Sequence, residues 1–245
     1  MTITTQPASP EHIRLGIIGL GNMGSSHCRL IESIDNIVLA AVCDIDSARL
    51  AKIVSRYGCQ GYATSTELIN AGDCDAILIA TPHYDHTTIG IAALKAGYHL
   101  LVEKPISVHK ADCEKLIRAH RHPDKQVFAA MFNQRTNKHY QHIKQLIDSG
   151  ELGQIRRISW TITDWFRSQR YYDSGGWRAT WAGEGGGVLL NQCPHQLDLL
   201  HWLFGMPTAL RAQGHVGKHH NIEVEDDITC WLEYANGATG VFTTT

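Results

Sequence analysis

Gly19-Leu20-Gly21-Asn22-Met23-Gly24 is the stretch whose reading decides the fold. It lies between a short apolar run over 14–20 and a segment, 22–34, patterned as a helix. An apolar run of that length closed by glycine suits a buried parallel strand. Strand, G-x-G-x-x-G turn and helix, in that order, open a dinucleotide-binding unit. Gly19 permits the tight turn, Gly21 lets a pyrophosphate approach the backbone, and Gly24 lets helix and strand pack closely. The helix that starts at Asn22 and Met23 offers free N–H groups and a positive dipole end to phosphates. Asp44 follows Gly24 by twenty residues, at the end of an apolar stretch over 37–43. There it is expected to accept hydrogen bonds from ribose hydroxyls and to repel a 2′-phosphate, so NAD is expected and NADP disfavoured. Arg49 is read as a turn too far into the next helix to reverse this. A glycine turn without a ligand is the competing account, and Asp44 weighs against it.

Outward from this unit, helices over 47–57, 86–96 and from Ser107 to about 120 alternate with strands over 75–80, 98–102 and 126–131. Gly97 suits a helix end and Ser107 a helix start. The alternation predicts a doubly wound parallel sheet with right-handed crossovers, a Rossmann domain over 1–132. The pattern then changes. A helix over 137–149, a long strand over 154–166, an aromatic and glycine-rich loop over 167–187, a helix to 204 and strands near 208–217, 226–234 and 238–245 follow. These predict a second α/β domain, 133–245, with an open, largely antiparallel sheet packed on helices. The chain stops inside a strand pattern, which would leave a bare edge and points to truncation at the C-terminus.

Composition narrows the function. The net charge of −2 over 245 residues implies no polyanionic partner, so nucleic acid is disfavoured. No run of about 20 apolar residues is present to span a membrane. Residues 1–10 lack a basic leader and an apolar run and read as a tail, not a signal peptide. Seven cysteines, odd in number and without a C-x-x-C pair, suit a reducing cytoplasm. Among fifteen histidines, His83-x-x-His86, His120-x-His122 and His219-His220 invite a metal reading. None sits with cysteine or carboxylate at zinc-site spacing on one element, so surface or loop histidines are expected and no metal.

The candidate chemistry lies at strand ends and in one later cluster. Thr81-Pro82 closes a strand and would line the crevice where ligands bind in open α/β sheets, with His86 orienting that loop or serving structure alone. Glu103-Lys104-Pro105 ends another strand. Pro105 keeps Lys104 out of helical geometry, and desolvation near positive charge would suit Lys104 to proton transfer. A solvated lysine is the plain alternative, and Glu103 is expected to orient it. Further on, Asn191, His195 and Asp198 recur at i, i+4 and i+7, on one helical face. Pro194 belongs in a first turn or at a kink, so the three would straddle a helix entry, still converging on one side. His195 could shuttle a proton or be satisfied by Asp198. Finally, Asp164-Trp165-Phe166-Arg167-Ser168-Gln169-Arg170-Tyr171-Tyr172, Trp177-Arg178 and Trp181 are rich in aromatics and arginine. Trp165, Arg167 and Arg178 are expected to meet a sugar-like substrate through ring faces and paired hydrogen bonds, unless the segment serves packing or an interface.

These motifs resemble those of the Gfo/Idh/MocA oxidoreductases, the family of glucose–fructose oxidoreductase and inositol dehydrogenase. The matching residues are Gly19–Gly24, Asp44, Thr81-Pro82 with His86, Glu103-Lys104-Pro105, Asn133 with Arg135, and 185–198. The resemblance implies a Rossmann domain followed by an α/β domain whose open sheet forms a homodimer or tetramer. It also implies NAD-dependent oxidation of a secondary alcohol on a sugar, sugar derivative or cyclic polyol. Lys104 and His195 take the family's catalytic positions, and Asn133 and Arg135 join the substrate contacts. Asn191 stands where the family often has aspartate, so a Lys104–His195 pair is implied, with Asn191 bonding a substrate hydroxyl or holding Lys104. The Asn-Gln-x-x-His version resembles sugar and nucleotide-sugar 3-dehydrogenases more than inositol dehydrogenases. An NAD-retaining glycosidase and a non-catalytic NAD- or sugar-binding regulator are the rivals. Members are usually longer, in keeping with truncation here.

Overall fold

Ile17 and Ile18 face opposite sides of one sheet and are only 0 % and 2 % exposed, which is why the opening apolar run does not alternate. In the computed structural model, which describes residues 12–164 and 166–245, they end the first strand, β1 (Ile13–Ile18). The chain divides into two compact units, one ending at Met131 and one running from Phe132 to Thr245.

In the first unit, β1 is followed by α1 (Asn22–Ile31), β2 (Ile37–Cys43), α2 (Ser47–Tyr57), β3 (Gln60–Tyr62), α3 (Ser65–Ala71) and β4 (Ala76–Ile79). Then come α4 (Asp85–Ala96), β5 (His99–Val102), α5 (Lys110–Ala119) and β6 (Phe128–Ala130). The sheet order is β3-β2-β1-β4-β5-β6, and every pairing is parallel. The strand order reverses between β1 and β4, which opens a crevice at their carboxyl ends. Two cores lie on the two faces. Ile18, Ile77, Ile79, Leu100 and Leu116 fill one, and Leu15, Ile17, Cys28, Val42 and Leu78 the other.

Two local readings change. The β3–α3 pair has no counterpart in the periodicity, because a three-residue strand is too short to show it. Thr64 and Glu67 nevertheless form a capping box at the start of α3, a signature legible in Thr-x-x-Glu. Ser107 does not cap α5, which starts three residues later behind His109. Its hydroxyl instead pairs with Thr87 Oγ1 of α4 at 2.7 Å.

The second unit begins with a 3₁₀ turn (Asn133–Thr136), α6 (Lys138–Asp148) and β7 (Arg157–Ile162). The loop carries a short helix, α7 (Gln169–Asp173), and a π turn (Val188–Gln192) leads into α8 (Pro194–Phe204). β8 (Ala209–Val216), β9 (Glu225–Glu233) and β10 (Thr239–Thr244) complete a sheet of order β7-β10-β9-β8. β10 pairs parallel with β7, and the other two pairings are antiparallel. β7 is shorter than its sequence pattern because its one neighbour, β10, offers six residues to pair with. Leu200, Val188, Ile158, Ile228 and Phe242 build one core on the inner face. The outer face keeps Trp231 half exposed.

Candidate functional site

The glycine turn does what its spacing predicts. Gly19 sits at φ +90°, where a side chain would lie 2.7 Å from the backbone of Ala80. A Cβ on Gly24 would meet Gly19 O at 1.8 Å, so the helix and the turn touch backbone to backbone. Gly21 faces open space, with nothing within 4 Å of its Cβ position. No side chain caps α1, and Asn22 and Met23 are exposed, so the first N–H groups of the helix are available to a phosphate. Asp44 is buried and accepts from Leu20 N at 2.7 Å and Asp46 N at 2.8 Å. Arg49 reaches it after all, with Nη1 3.0 Å from Asp44 Oδ2. The helix α2 starts at Ser47, which places Arg49 in its first turn, beside Asp46 and Asp44. Thr81 Oγ1, at the end of β4, is buried without a hydrogen-bond partner. An uncapped helix start, a carboxylate at the ribose edge and an orphaned hydroxyl fit a dinucleotide.

Lys104 is half buried behind β5 and joins Pro105 through a cis peptide. Glu103 and His86 are internal. Glu103 Oε2 accepts from Lys104 N at 3.1 Å, and Oε1 lies 2.6 Å from His27 Nε2. Burial pushes the Glu103 carboxyl up, but its bond to His27 and the neighbouring positive charges outweigh this and hold it below the usual range. His27 escaped the sequence reading, although it lies three residues after Gly24 on the packed face of α1. His86 is 1 % exposed, with Nδ1 2.8 Å from Pro105 O and Nε2 2.9 Å from Thr81 O. It therefore sits between the loop after β4 and the turn after Lys104. Burial lowers its pKa despite the two carbonyls, and a neutral ring donates to only one of them.

In the second unit Asn191 lies in the π turn and His195 lies in the first turn of α8, with Pro194 at the helix start. His195 meets the Phe132 ring edge-on at 6.2 Å. Asp198 is taken by Arg135 through Nε at 2.7 Å and Nη2 at 2.5 Å, so this carboxylate serves the 3₁₀ turn. Asn133, in the same turn, is exposed. Arg178 donates to Tyr171 OH at 2.8 Å and stacks on the rings of Tyr171 and Trp177, while Arg167 lies over Tyr171. Trp165 lies outside the described residues. Arg178, Tyr172, Thr180, Asn221 and Glu223 line a cavity of about 420 Å³.

Three carboxylates shape this region, and the sequence reading missed all three. Glu184 bonds Asn191 and the backbone of Ala179. Glu225 accepts from Gly187 N and Leu189 N at 3.0 and 3.2 Å. Asp226 accepts from the backbone N–H groups of Lys218, His219 and His220. Each acts between 5 and 38 residues along the chain, beyond any local motif. Among the described residues no group of three or more ligand side chains is gathered to hold a metal, and no helix is long and apolar enough to cross a membrane.

Residues 13–131 match the oxidoreductase family with NAD-binding Rossmann fold, GFO/IDH/MocA, and residues 140–245 match a C-terminal domain of that family. The WlbA dehydrogenase of Chromobacterium violaceum, solved with NADH and UDP-GlcNAcA, is 33 % identical with a TM-score of 0.90, over 99 % of this chain and 70 % of its own. The WlbA dehydrogenase of Bordetella pertussis, solved with the same two molecules, is 28 % identical with a TM-score of 0.88, over 96 % and 72 %. An inositol 2-dehydrogenase of Salmonella paratyphi B is 28 % identical over 200 residues, 78 % of this chain and 54 % of its own length. The chain thus spans about half the length of such curated relatives.

Proposed function

The chain belongs to the GFO/IDH/MocA oxidoreductase family, and from that premise we propose that it acts as an NAD-dependent dehydrogenase on a secondary alcohol of a sugar, sugar derivative or cyclic polyol. The observation that carries the reading is the ligand edge of the first unit. There the open space at Gly21, the uncapped α1, Asp44 and the orphaned Thr81 Oγ1 occupy the carboxyl ends of β1, β2 and β4.

Gly19–Gly24 would hold the pyrophosphate, Asp44 the adenine ribose, and Thr81 a polar edge of the dinucleotide. Bound NAD would supply the hydride acceptor. Lys104, steadied through its backbone by Glu103, and His195, at the start of α8, take the proton of the hydroxyl being oxidised. Asn191 accepts a hydrogen bond from a substrate hydroxyl. The arginines and rings of 167–181 supply paired hydrogen bonds and stacking faces, chemistry suited to a carboxylate or phosphate on a sugar. The nucleotide-linked sugar acid in both WlbA complexes is therefore the first substrate to try, with inositol the second. The half-exposed Trp231 on the outer sheet face suits pairing with another copy, and seven free thiols suit a cytoplasmic setting.

The test is NADH absorbance on mixing the chain with NAD and a panel of nucleotide-linked sugars, uronic acids and inositols. Lys104→Ala should lower turnover by about 100-fold or more and leave NADH affinity within about twofold. Near-full turnover in the variant overturns the proton role. Sugar release from an aryl glycoside without net NADH would move the assignment to the glycosidase.

A further inference from the structure

Glu184 is 1 % exposed, and its position in the chain gives no reason for a charge to be there. It precedes the glycine run 185–187 in a turn closed by Glu184 N and Gly185 N on Thr180 O, at 2.9 and 3.1 Å. A buried carboxylate must have its oxygens satisfied, and this one takes a donor on each. Oε2 accepts from Ala179 N at 2.7 Å, and Oε1 accepts from the side-chain amide of Asn191. Ala179 lacks glycine's freedom yet holds a positive φ, +53°, a conformation that costs about 1 kcal/mol or more and needs an anchor. Its neighbour Arg178 stands between the rings of Tyr171 and Trp177. Asn191 is held from the other side by its own backbone, which donates to Gly187 O at 3.0 Å.

An ionised carboxylate only accepts. The amide of Asn191 must therefore turn its nitrogen to Glu184, and its carbonyl oxygen then faces the opposite way. We propose that Glu184 is a positioning residue for the substrate site: joined to Asn191 and Ala179, it fixes Asn191 as an acceptor for a substrate hydroxyl and registers the arginine–aromatic segment against it. This rests on the dehydrogenase reading for its substrate, but the orientation of the amide belongs to the chain alone.

Glu184→Gln keeps the shape and reverses one contact. The N–H of Ala179 can only donate, so the glutamine oxygen stays there and its NH₂ group confronts that of Asn191. Asn191 must then flip and present a donor where it had presented an acceptor. The expected result is a fall of at least about tenfold in kcat/KM, with NADH affinity unchanged. The pair Glu184→Gln/Asn191→Asp restores the complement: glutamine donates to one aspartate oxygen, the other faces outward as an acceptor, and the count of carboxylates is that of the natural chain. It should recover most of the loss. A merely structural role would lower kcat/KM only together with Tm, so a single variant that melts like the natural chain yet loses turnover marks the positioning role.

Wild-type kcat/KM in Glu184→Gln, or a double variant no better than the single, overturns the proposal. If the natural chain shows no Lys104-dependent turnover with any substrate, the dehydrogenase reading fails and the amide decides alone. The Asn191 side-chain ¹⁵N–¹H₂ signals, identified by their loss in Asn191→Asp, should shift in Glu184→Gln. Unmoved signals overturn the proposal. If the single variant does not fold, the double variant, with the contact between the two side chains again matched, is expected to fold; its failure to do so counts against the pairing.

Discussion

Glu103 and Glu184 are both buried carboxylates beside a residue proposed to act in the reaction, one in each unit, yet they are held by different means. Glu103 ends a strand of a sheet covered on both faces, and its partner His27 comes from a helix packed on that sheet. Glu184 lies in a turn outside the regular elements. Among its donors are a backbone N–H five residues back and an amide seven residues ahead. Regular packing supplies the precision in the first unit. In the second, single carboxylates supply it, by collecting the N–H groups of a long loop. The price of the second arrangement is that each acceptor counts.

The largest effects should come where backbones touch, and they test whether the loop is held as tightly as the glycine turn. A Cβ at Gly24 falls 1.8 Å from Gly19 O, and one at Gly187 falls 1.9 Å from Glu225 O. Neither neighbour is a side chain that can swing away. Gly24→Ala should abolish NADH binding. Gly187→Ala should destabilise by at least about 3 kcal/mol, a fall of roughly 6 °C or more in Tm. A Gly187→Ala protein that melts like the natural chain would mean the loop yields where the glycine turn cannot, and the comparison would fail.

The next effect separates the two carboxylates by pH. In the native protein the Glu103 pKa is depressed, so its contribution is present above the unfolded value, 4.5, and is lost as pH falls through the folded value. His27→Leu removes the donor and leaves burial, the largest influence on this group, to raise the carboxyl instead. An ionised Glu103, left with only the Lys104 N–H and no partner on Oε1, then destabilises, so the variant should lose roughly 3 kcal/mol at pH 7. The deficit should shrink toward pH 4, where the carboxyl is protonated in the variant. Thermal melts across that range check this. A deficit independent of pH would show that His27 matters by its volume and not by its bond.

What the sequence made legible follows the same division. The first unit was readable because each part leaves a local trace: unbroken apolar strands, Gly19 to Gly24, Asp44 at a strand end. Thr64-x-x-Glu67 was such a trace too, obscured by the three-residue strand before it. In the second unit α7 fell inside a stretch read as loop, while α6, α8, the approximate strands and the Asn191–His195 spacing were visible. What fixes them was not, because Glu225 meets Gly187 across 38 residues and Asp198 answers to Arg135 across 63. Neither distance has a period to read. The Arg49–Asp44 contact was hidden for a smaller reason: one turn of helix is short enough for a guanidinium to reach back to the strand end.

Asp44 sharpens the contrast at a single contact of the first unit. Its charge faces the expected ribose, while Arg49 lies on it at 3.0 Å. Asp44→Ser removes the repulsion and leaves the guanidinium, so the use of NADP relative to NAD should rise by about tenfold, or 1.4 kcal/mol. The ratio of kcat/KM for the two cofactors reads it directly, and an unchanged ratio removes Asp44 from the ribose.

Arg49→Leu should have the smallest effect, and its sign is the informative part. The Arg49 side chain is 44 % exposed, so water screens its pairs with Asp44 and Asp46, and stability should change by less than about 1 kcal/mol. The Asp44 carboxylate keeps the N–H groups of Leu20 and Asp46 and stays in place. A 2′-phosphate, by contrast, loses the cation that would meet it. Use of NADP should therefore fall while use of NAD holds, and adding Arg49→Leu to Asp44→Ser should cancel most of the gain. If the double variant keeps the full gain, Arg49 only braces the α2 start, and the ribose edge is governed by Asp44 alone.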